Sequence, residues 1–231
     1  MKFSELSLPI YFKEHYTKFP TLNPVQEKSV KAGLLEGKSL LVCAPTASGK
    51  TLVASMAIAN TLGNQLGIEP DTSLNQEKNN GKALYLVPLK ALASEKFKEF
   101  QNLLKETNLK VIVSTSDMDS ASPYLANYDL VILTTEKLDS LIRHKVAWLS
   151  EVKLVVIDEI HLLNDPNRGP TLEVIITLLK KLISPQLIGL SATIGNPKAL
   201  ANWLGAELVL DDWRPVELKQ GIVTEGEIEF Y

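Results

Sequence analysis

One cysteine, Cys43, stands among 231 residues, so no disulfide can close within the chain. Three histidines, His15, His144 and His161, are scattered without cysteine partners, which excludes a zinc site of the finger type. No run of about 18 apolar residues occurs, and the first segment is broken by Lys2, Glu5, Lys13 and Glu14. A membrane-spanning helix and a signal peptide are thereby excluded, and a soluble, cytoplasmic chain without a membrane partner is expected. A surplus of positive charge is lacking too. With 24 Lys and Arg against 27 Asp and Glu the net charge is −3, so no broad basic face advertises nucleic acid. Any such contact has to be local. Internal repeats and low-complexity tracts are also missing.

What is present is a chain 45% apolar, long enough to bury one substantial core. Short strand-like apolar runs fall at residues 40–43, 83–87, 111–113, 130–133, 154–157 and 187–190. Most lead into helical patterns, and that alternation predicts an α/β domain with a mostly parallel central sheet and helices on both faces. The pattern over 89–104 sets Lys and Glu opposite its apolar face, while 172–183 is apolar nearly all round and is expected to be buried. Residues 67–82 are polar and without period, as in a surface insertion. A further strand-like run at 207–210 precedes Trp213-Arg214-Pro215. The chain stops at Tyr231 in mid-pattern, which reads as a fragment of a longer protein.

The run Ala44-Pro45-Thr46-Ala47-Ser48-Gly49-Lys50-Thr51 lies between the first strand and a helical pattern over 52–62. Its Gly-Lys-Thr ending has the spacing of a phosphate-binding loop: backbone N–H groups curl round the phosphates, Lys50 reaches the β/γ oxygens, and Thr51 offers a hydroxyl to Mg²⁺. Ala44 stands where the general pattern has Gly. Downstream, the strand at 154–157 ends in Asp158-Glu159. Paired carboxylates at a strand end suit a second metal position: Asp158 would hold Mg²⁺ and Glu159 would take a proton from the water attacking the γ-phosphate of ATP.

The tetrad Asp158-Glu159-Ile160-His161 resembles the DExH signature of superfamily-2 helicases. Four more segments resemble that family's motifs in the same order. Leu22-Asn23-Pro24-Val25-Gln26 is similar to the element whose glutamine reads adenine, which assigns that role to Gln26. Val87-Pro88-Leu89-Lys90-Ala91-Leu92 and Thr134-Thr135-Glu136-Lys137 resemble the segments that hold a single strand by its phosphates. The resemblance thus implies nucleic-acid contacts at Pro88, Leu89, Lys90, Thr134, Thr135 and Lys137. Free N–H groups at helix starts would serve there without excess basic residues. Ser191-Ala192-Thr193 resembles the motif that couples hydrolysis to movement, and the resemblance gives His161 a part in linking the nucleotide site to a partner motor domain.

Within superfamily 2, the chain is most similar to the HelQ-related DNA helicases, through 138–143, 158–163, Arg168-Gly169 with Thr171-Leu172-Glu173, and 212–216. It departs from them at Ser116, where glycine is usual, and in the 67–82 insertion. The resemblance implies a RecA-like P-loop NTPase domain over 1–220, with 221–231 starting a connection toward a second RecA-like domain. ATP and Mg²⁺ would be its cofactors and single-stranded or forked DNA its partner, in unwinding at replication forks during repair. Three alternatives stand beside this reading: an RNA helicase of the same superfamily, a nucleotide-gated binding module without unwinding, and a P-loop kinase. The last is disfavoured by the Asp158-Glu159 pair.

Overall fold

All six apolar runs, and the one at 207–210, become strands of a single sheet in the computed structural model, which describes residues 1–63, 81–115, 121–192, 194–217, 221–224 and 227–230. Most of the 67–82 insertion, Ser116 and Thr193 lie outside the described residues. The strands are β1 Leu40–Cys43, β2 Lys82–Val87, β3 Val111–Ser114, β4 Leu130–Thr134, β5 Val152–Ile157, β6 Gln186–Ser191 and β7 Glu207–Leu210. They lie in the order β3-β4-β2-β5-β6-β1-β7, and every neighbouring pair is parallel. The helices are α1 Ile10–His15, α2 Pro24–Lys31, α3 Lys50–Gly63, α4 Lys90–Leu103, α5 Thr135–Arg143, α6 Gly169–Leu182 and α7 Pro197–Leu204. A separate antiparallel pair follows, β8 Gly221–Thr224 with β9 Glu227–Phe230.

The continuous apolar runs reflect a sheet covered on both sides. Successive side chains alternate between two cores: Leu40, Val42, Ala83, Tyr85, Leu154 and Val156 face the layer containing α3 and α4. Leu41, Cys43, Leu84, Leu86, Val155 and Ile157 face the layer containing α5, α6 and α7. Each fully buried Leu, Ile or Val contributes roughly 1.5–3 kcal/mol, so the two cores anchor every strand from both faces. None of the described helices is long and apolar enough to cross a membrane.

One expectation needs correction. Helix α6 is not buried all round: Leu172, Ile175, Ile176 and Leu179 face the sheet, but Val174 is 54% and Leu182 65% exposed. Its inward positions follow the 3.6-residue period, and the outward ones are apolar without being covered. The N-terminus of this helix is set by Gly169, whose N–H donates to the Asp165 carbonyl at 2.8 Å. A Cβ there would lie 2.2 Å from the Leu163 carbonyl oxygen and 2.9 Å from its carbon. Backbone cannot swing aside as a side chain would, so Gly169→Ala is expected to lower stability by about 1–3 kcal/mol. Urea unfolding would show this as a lower midpoint, and an unchanged midpoint would refute it.

Candidate functional site

Because all seven strands run the same way, their carboxyl ends share one edge, where ligands bind in open α/β sheets. The sheet order divides that edge. The loop after β1, Asp158-Glu159 after β5 and Ser191 ending β6 sit on the adjacent strands β5-β6-β1, whereas Pro88 after β2 and Thr134 ending β4 lie on the neighbouring pair β4-β2. Lys50 and Asp158, 108 positions apart in sequence, are thus brought to neighbouring strand ends by strand order.

In the loop, Ala44 is buried and packed in the core, and its N–H donates to the Ser191 carbonyl at 3.2 Å. No left-handed backbone is needed there, so the missing glycine is no obstacle. The left-handed positions are Ala47 (φ 62°) and Gly49 (φ 83°). Pro45 and Ser48 are buried, while Thr46 and Ala47 are exposed. Lys50 opens α3 and folds back on the loop, its Nζ donating to the carbonyls of Ala44 at 2.6 Å and Pro45 at 2.8 Å. Burial holds its ammonium below the usual lysine range, opposed by the carboxylates of Glu159 and Asp158.

Helix α2 buttresses this loop. Asn23 caps it, with Asn23 Oδ1 accepting from Gln26 N–H and Gln26 Oε1 accepting from Asn23 N–H, both at 3.0 Å, and with Pro24 at the first helical position. The remaining amide groups reach across: Asn23 Nδ2 donates to the Ser48 carbonyl at 2.9 Å and Gln26 Nε2 to that of Gly49 at 3.4 Å. Gln26 is buried and engaged at both ends of its amide. Sequence reading assigned a role in this segment to Gln26 alone and missed both the cap at Asn23 and its hold on the loop.

At the end of β5, Asp158 is fixed on both oxygens. Oδ2 accepts from the Tyr85 hydroxyl at 3.0 Å, and Oδ1 accepts from the Glu159 N–H at 3.0 Å. Burial, then the Asp158 charge, pushes the Tyr85 phenol well above its ordinary range, so it stays protonated and donates. Glu159 adopts a left-handed backbone (φ 52°), a strained conformation that persists where surrounding structure enforces it. Its Oε2 lies 3.2 Å from His161 Nδ1, a charge contact when the ring is protonated, without hydrogen-bond geometry. Cys43 behind the loop has its thiol pushed up to about 11 by burial, against the Lys50 charge, and is a small apolar core residue as expected.

On the neighbouring strand pair, Leu89 is 49% exposed and Lys90 exposed at the start of α4, with Pro88 half-buried just before them. Arg168 Nη1 donates to the Pro88 carbonyl at 3.4 Å. Thr134 is buried and caps α5, its Oγ1 accepting from the Lys137 N–H at 3.4 Å, and Thr135 is half-buried. Lys137, in the same segment, is 1% exposed, its side chain held inside the domain. Ser191 is fully buried with no hydrogen-bond partner for its Oγ among the described residues, and Ala192 is half-buried.

Sequence reasoning also missed Lys96. Assigned to the polar face of its helix, it is 7% exposed and donates to Thr51 Oγ1 at 3.1 Å and to Glu99 Oε2 at 3.0 Å. Its spacing from the buried Ala93, Phe100 and Leu103 sets it on the inward face of α4, a signal that its charge masks.

Residues 23–200 match the model of the DEAD/DEAH box helicase family. The ATP-dependent DNA helicase Hel308 of Methanococcus vannielii is 50% identical over 210 residues, covering 90% of this chain and 26% of that protein. Hel308 of Pyrococcus horikoshii is 48% identical over 228 residues, covering 98% of this chain and 30% of that one. Among solved structures, the DUF1998 helicase MrfA bound to DNA and AMPPNP superposes with a TM-score of 0.74 at 27% identity, over 89% of this chain and 29% of that one. The chain therefore spans between a quarter and a third of the length of these relatives.

Proposed function

Because the chain belongs to the DEAD/DEAH box helicase family, we propose that it is the first RecA-like motor domain, over 1–220, of an ATP-dependent DNA helicase acting on single-stranded or forked DNA. The observation that carries this is the strand order β5-β6-β1, which sets the Asp158-Glu159 pair, Ser191 and the Lys50 loop side by side on one sheet edge. The names of the Hel308 relatives supply the DNA and the ATP dependence. Residues 221–231 lead toward a second motor domain.

In this reading Lys50 leaves the carbonyls of Ala44 and Pro45 for the β/γ-phosphates of ATP, and the loop N–H groups from Thr46 to Thr51 face those oxygens. Gln26 reads the adenine edge. Since its amide also supports Gly49, base recognition is tied to the shape of the loop. The Thr51 hydroxyl and Asp158 carboxylate are hard oxygen donors of the type Mg²⁺ takes, and Asp158 is already oriented by Tyr85. Bound there, the ion would screen phosphate charge. Glu159 accepts the proton of the attacking water, and His161, beside it, relays the state of the site to the second motor domain, as does the Ser191-Ala192-Thr193 motif. Pro88, Leu89, Lys90, Thr134 and Thr135 line the track for the DNA backbone, where the exposed helix start at Leu89-Lys90 offers amide groups to phosphate.

The test is ATP hydrolysis by the full-length protein with single-stranded DNA or RNA of equal length. DNA is expected to raise turnover severalfold over RNA, with Lys50→Ala abolishing it. Stimulation by RNA alone would make it an RNA helicase, and stimulation by neither would leave the nucleotide-gated binding module.

A further inference from the structure

Lys96 is a buried cation placed behind the metal donors. Lysine is almost never buried unless paired, and desolvating an ammonium is costly. Among the described residues the only full negative charge in contact is Glu99, whose side chain is 34% exposed, and the ammonium lies 6.0 Å from the centroid of the Tyr85 ring. A leucine in this place would serve the core with less desolvation, so packing alone does not account for the residue. Its other partners point to the nucleotide site. Thr51 Oγ1 accepts its hydrogen bond, and Tyr85 donates to Asp158. Both side chains read above as metal donors are therefore backed by this one buried pair.

A threonine hydroxyl has two acceptor lone pairs, and Lys96 occupies one of them. A divalent cation on the other would share a single oxygen with an ammonium. Repulsion between a double and a single charge at such range exceeds the orienting benefit of one hydrogen bond, even at the effective dielectric of protein interiors. We infer that Lys96 is a resident cation that opposes metal binding at Thr51 and Asp158 until nucleotide phosphates bring compensating charge. This rests on the nucleotide-site reading given above. Lys96 acts through Thr51 and is a positioning residue. Before nucleotide arrives, the ammonium holds the Thr51 hydroxyl, and Glu99 keeps it anchored when the metal enters. The consequence is an order of loading, in which the metal enters with nucleotide and not ahead of it.

The probe is Mn²⁺ alone, its free concentration followed by electron paramagnetic resonance in the full-length protein without nucleotide. Lys96→Met is expected to lower the Mn²⁺ concentration for half-saturation about tenfold relative to wild type. Lys96→Gln, one bond shorter, keeps an N–H donor directed toward Thr51 but no charge, and is expected to behave like Lys96→Met. It also keeps the inference testable should the methionine variant fold poorly, as checked by thermal unfolding. Unchanged or weaker Mn²⁺ binding in a folded variant overturns the inference, as does a wild-type-like value for the glutamine variant beside a changed methionine one. Binding of a fluorescent ADP analogue to the wild type separates the two levels. No binding at all removes the nucleotide-site reading itself, whereas normal binding with unmoved Mn²⁺ affinity removes only the role of Lys96.

Discussion

Glu159→Gln is expected to leave ATP bound while its hydrolysis falls about a thousandfold, the middle of the range for loss of a general base. The amide has the volume of the carboxylate but cannot take a proton from water. It leaves the backbone N–H of residue 159 free to donate to Asp158 Oδ1 as now, so Asp158 keeps its orientation between that N–H and the Tyr85 hydroxyl. The left-handed backbone at 159 is no worse for Gln than for Glu. Only the contact with His161 loses its charge. Nucleotide affinity should therefore change by less than a few fold, since Lys50 and the loop are untouched. Single-turnover hydrolysis and equilibrium nucleotide binding in the full-length protein with single-stranded DNA separate the two effects. Hydrolysis within tenfold of wild type would mean that Glu159 is not the base. Weakened binding with unchanged chemistry would make it a ligand of the nucleotide instead.

That prediction draws on residues whose place was legible in the sequence, and the reason is geometric. A strand end followed by a helix start carries its chemistry at a fixed position, so Lys50, Thr51, Asp158 and Glu159 could be placed once the apolar runs before them were recognised. The central runs were clear because they are buried on both faces, whereas the edge strands β3 and β7 are only partly covered. Strand boundaries strayed where a polar residue continues the ladder: β2 begins at Lys82, whose Nζ is buried against the carbonyls of Ala126 at 2.6 Å and Tyr128 at 3.0 Å. A lysine that satisfies its charge inside the domain looks, in sequence, like one that ends a strand. Charge likewise hid Lys96, which the 3.6-residue period sets with Ala93, Phe100 and Leu103 on the buried face of α4.

Short elements were lost for a different reason. Helix α7 is announced only by Asn196, whose Oδ1 accepts from the Ala199 N–H at 3.2 Å, and by Pro197 at its first position. In a helix of eight residues the caps decide the matter more than any period does. The sheet order is tertiary throughout. No local pattern tells that β5 and β6 insert between β2 and β1, yet that insertion is what brings the carboxylates to the loop.

The loop also makes the second large prediction. Gly49→Ala is expected to weaken nucleotide binding about a hundredfold. At φ 83° an alanine is strained, costing about 1–3 kcal/mol. Its Cβ would lie 2.6 Å from Gln26 Nε2 and 2.7 Å from Asn23 Nδ2. Those atoms end flexible side chains and can retreat, but each now donates to a loop carbonyl, so retreat sacrifices the bonds to Gly49 and Ser48. With each such bond contributing about 1 kcal/mol, the loop loses on the order of 3 kcal/mol in the conformation that binds, which is about a hundredfold in affinity. Global stability should fall less, because the loop lies at the sheet edge and both cores are untouched. Titration with a fluorescent ADP analogue measures the first effect and thermal unfolding the second. Comparison with Asn23→Ala divides the cause: that variant keeps Gly49 but removes one buttress, and should weaken binding by a few fold only. If Gly49→Ala binds nucleotide like the wild type, the left-handed turn braced by α2 is not the conformation that holds phosphate.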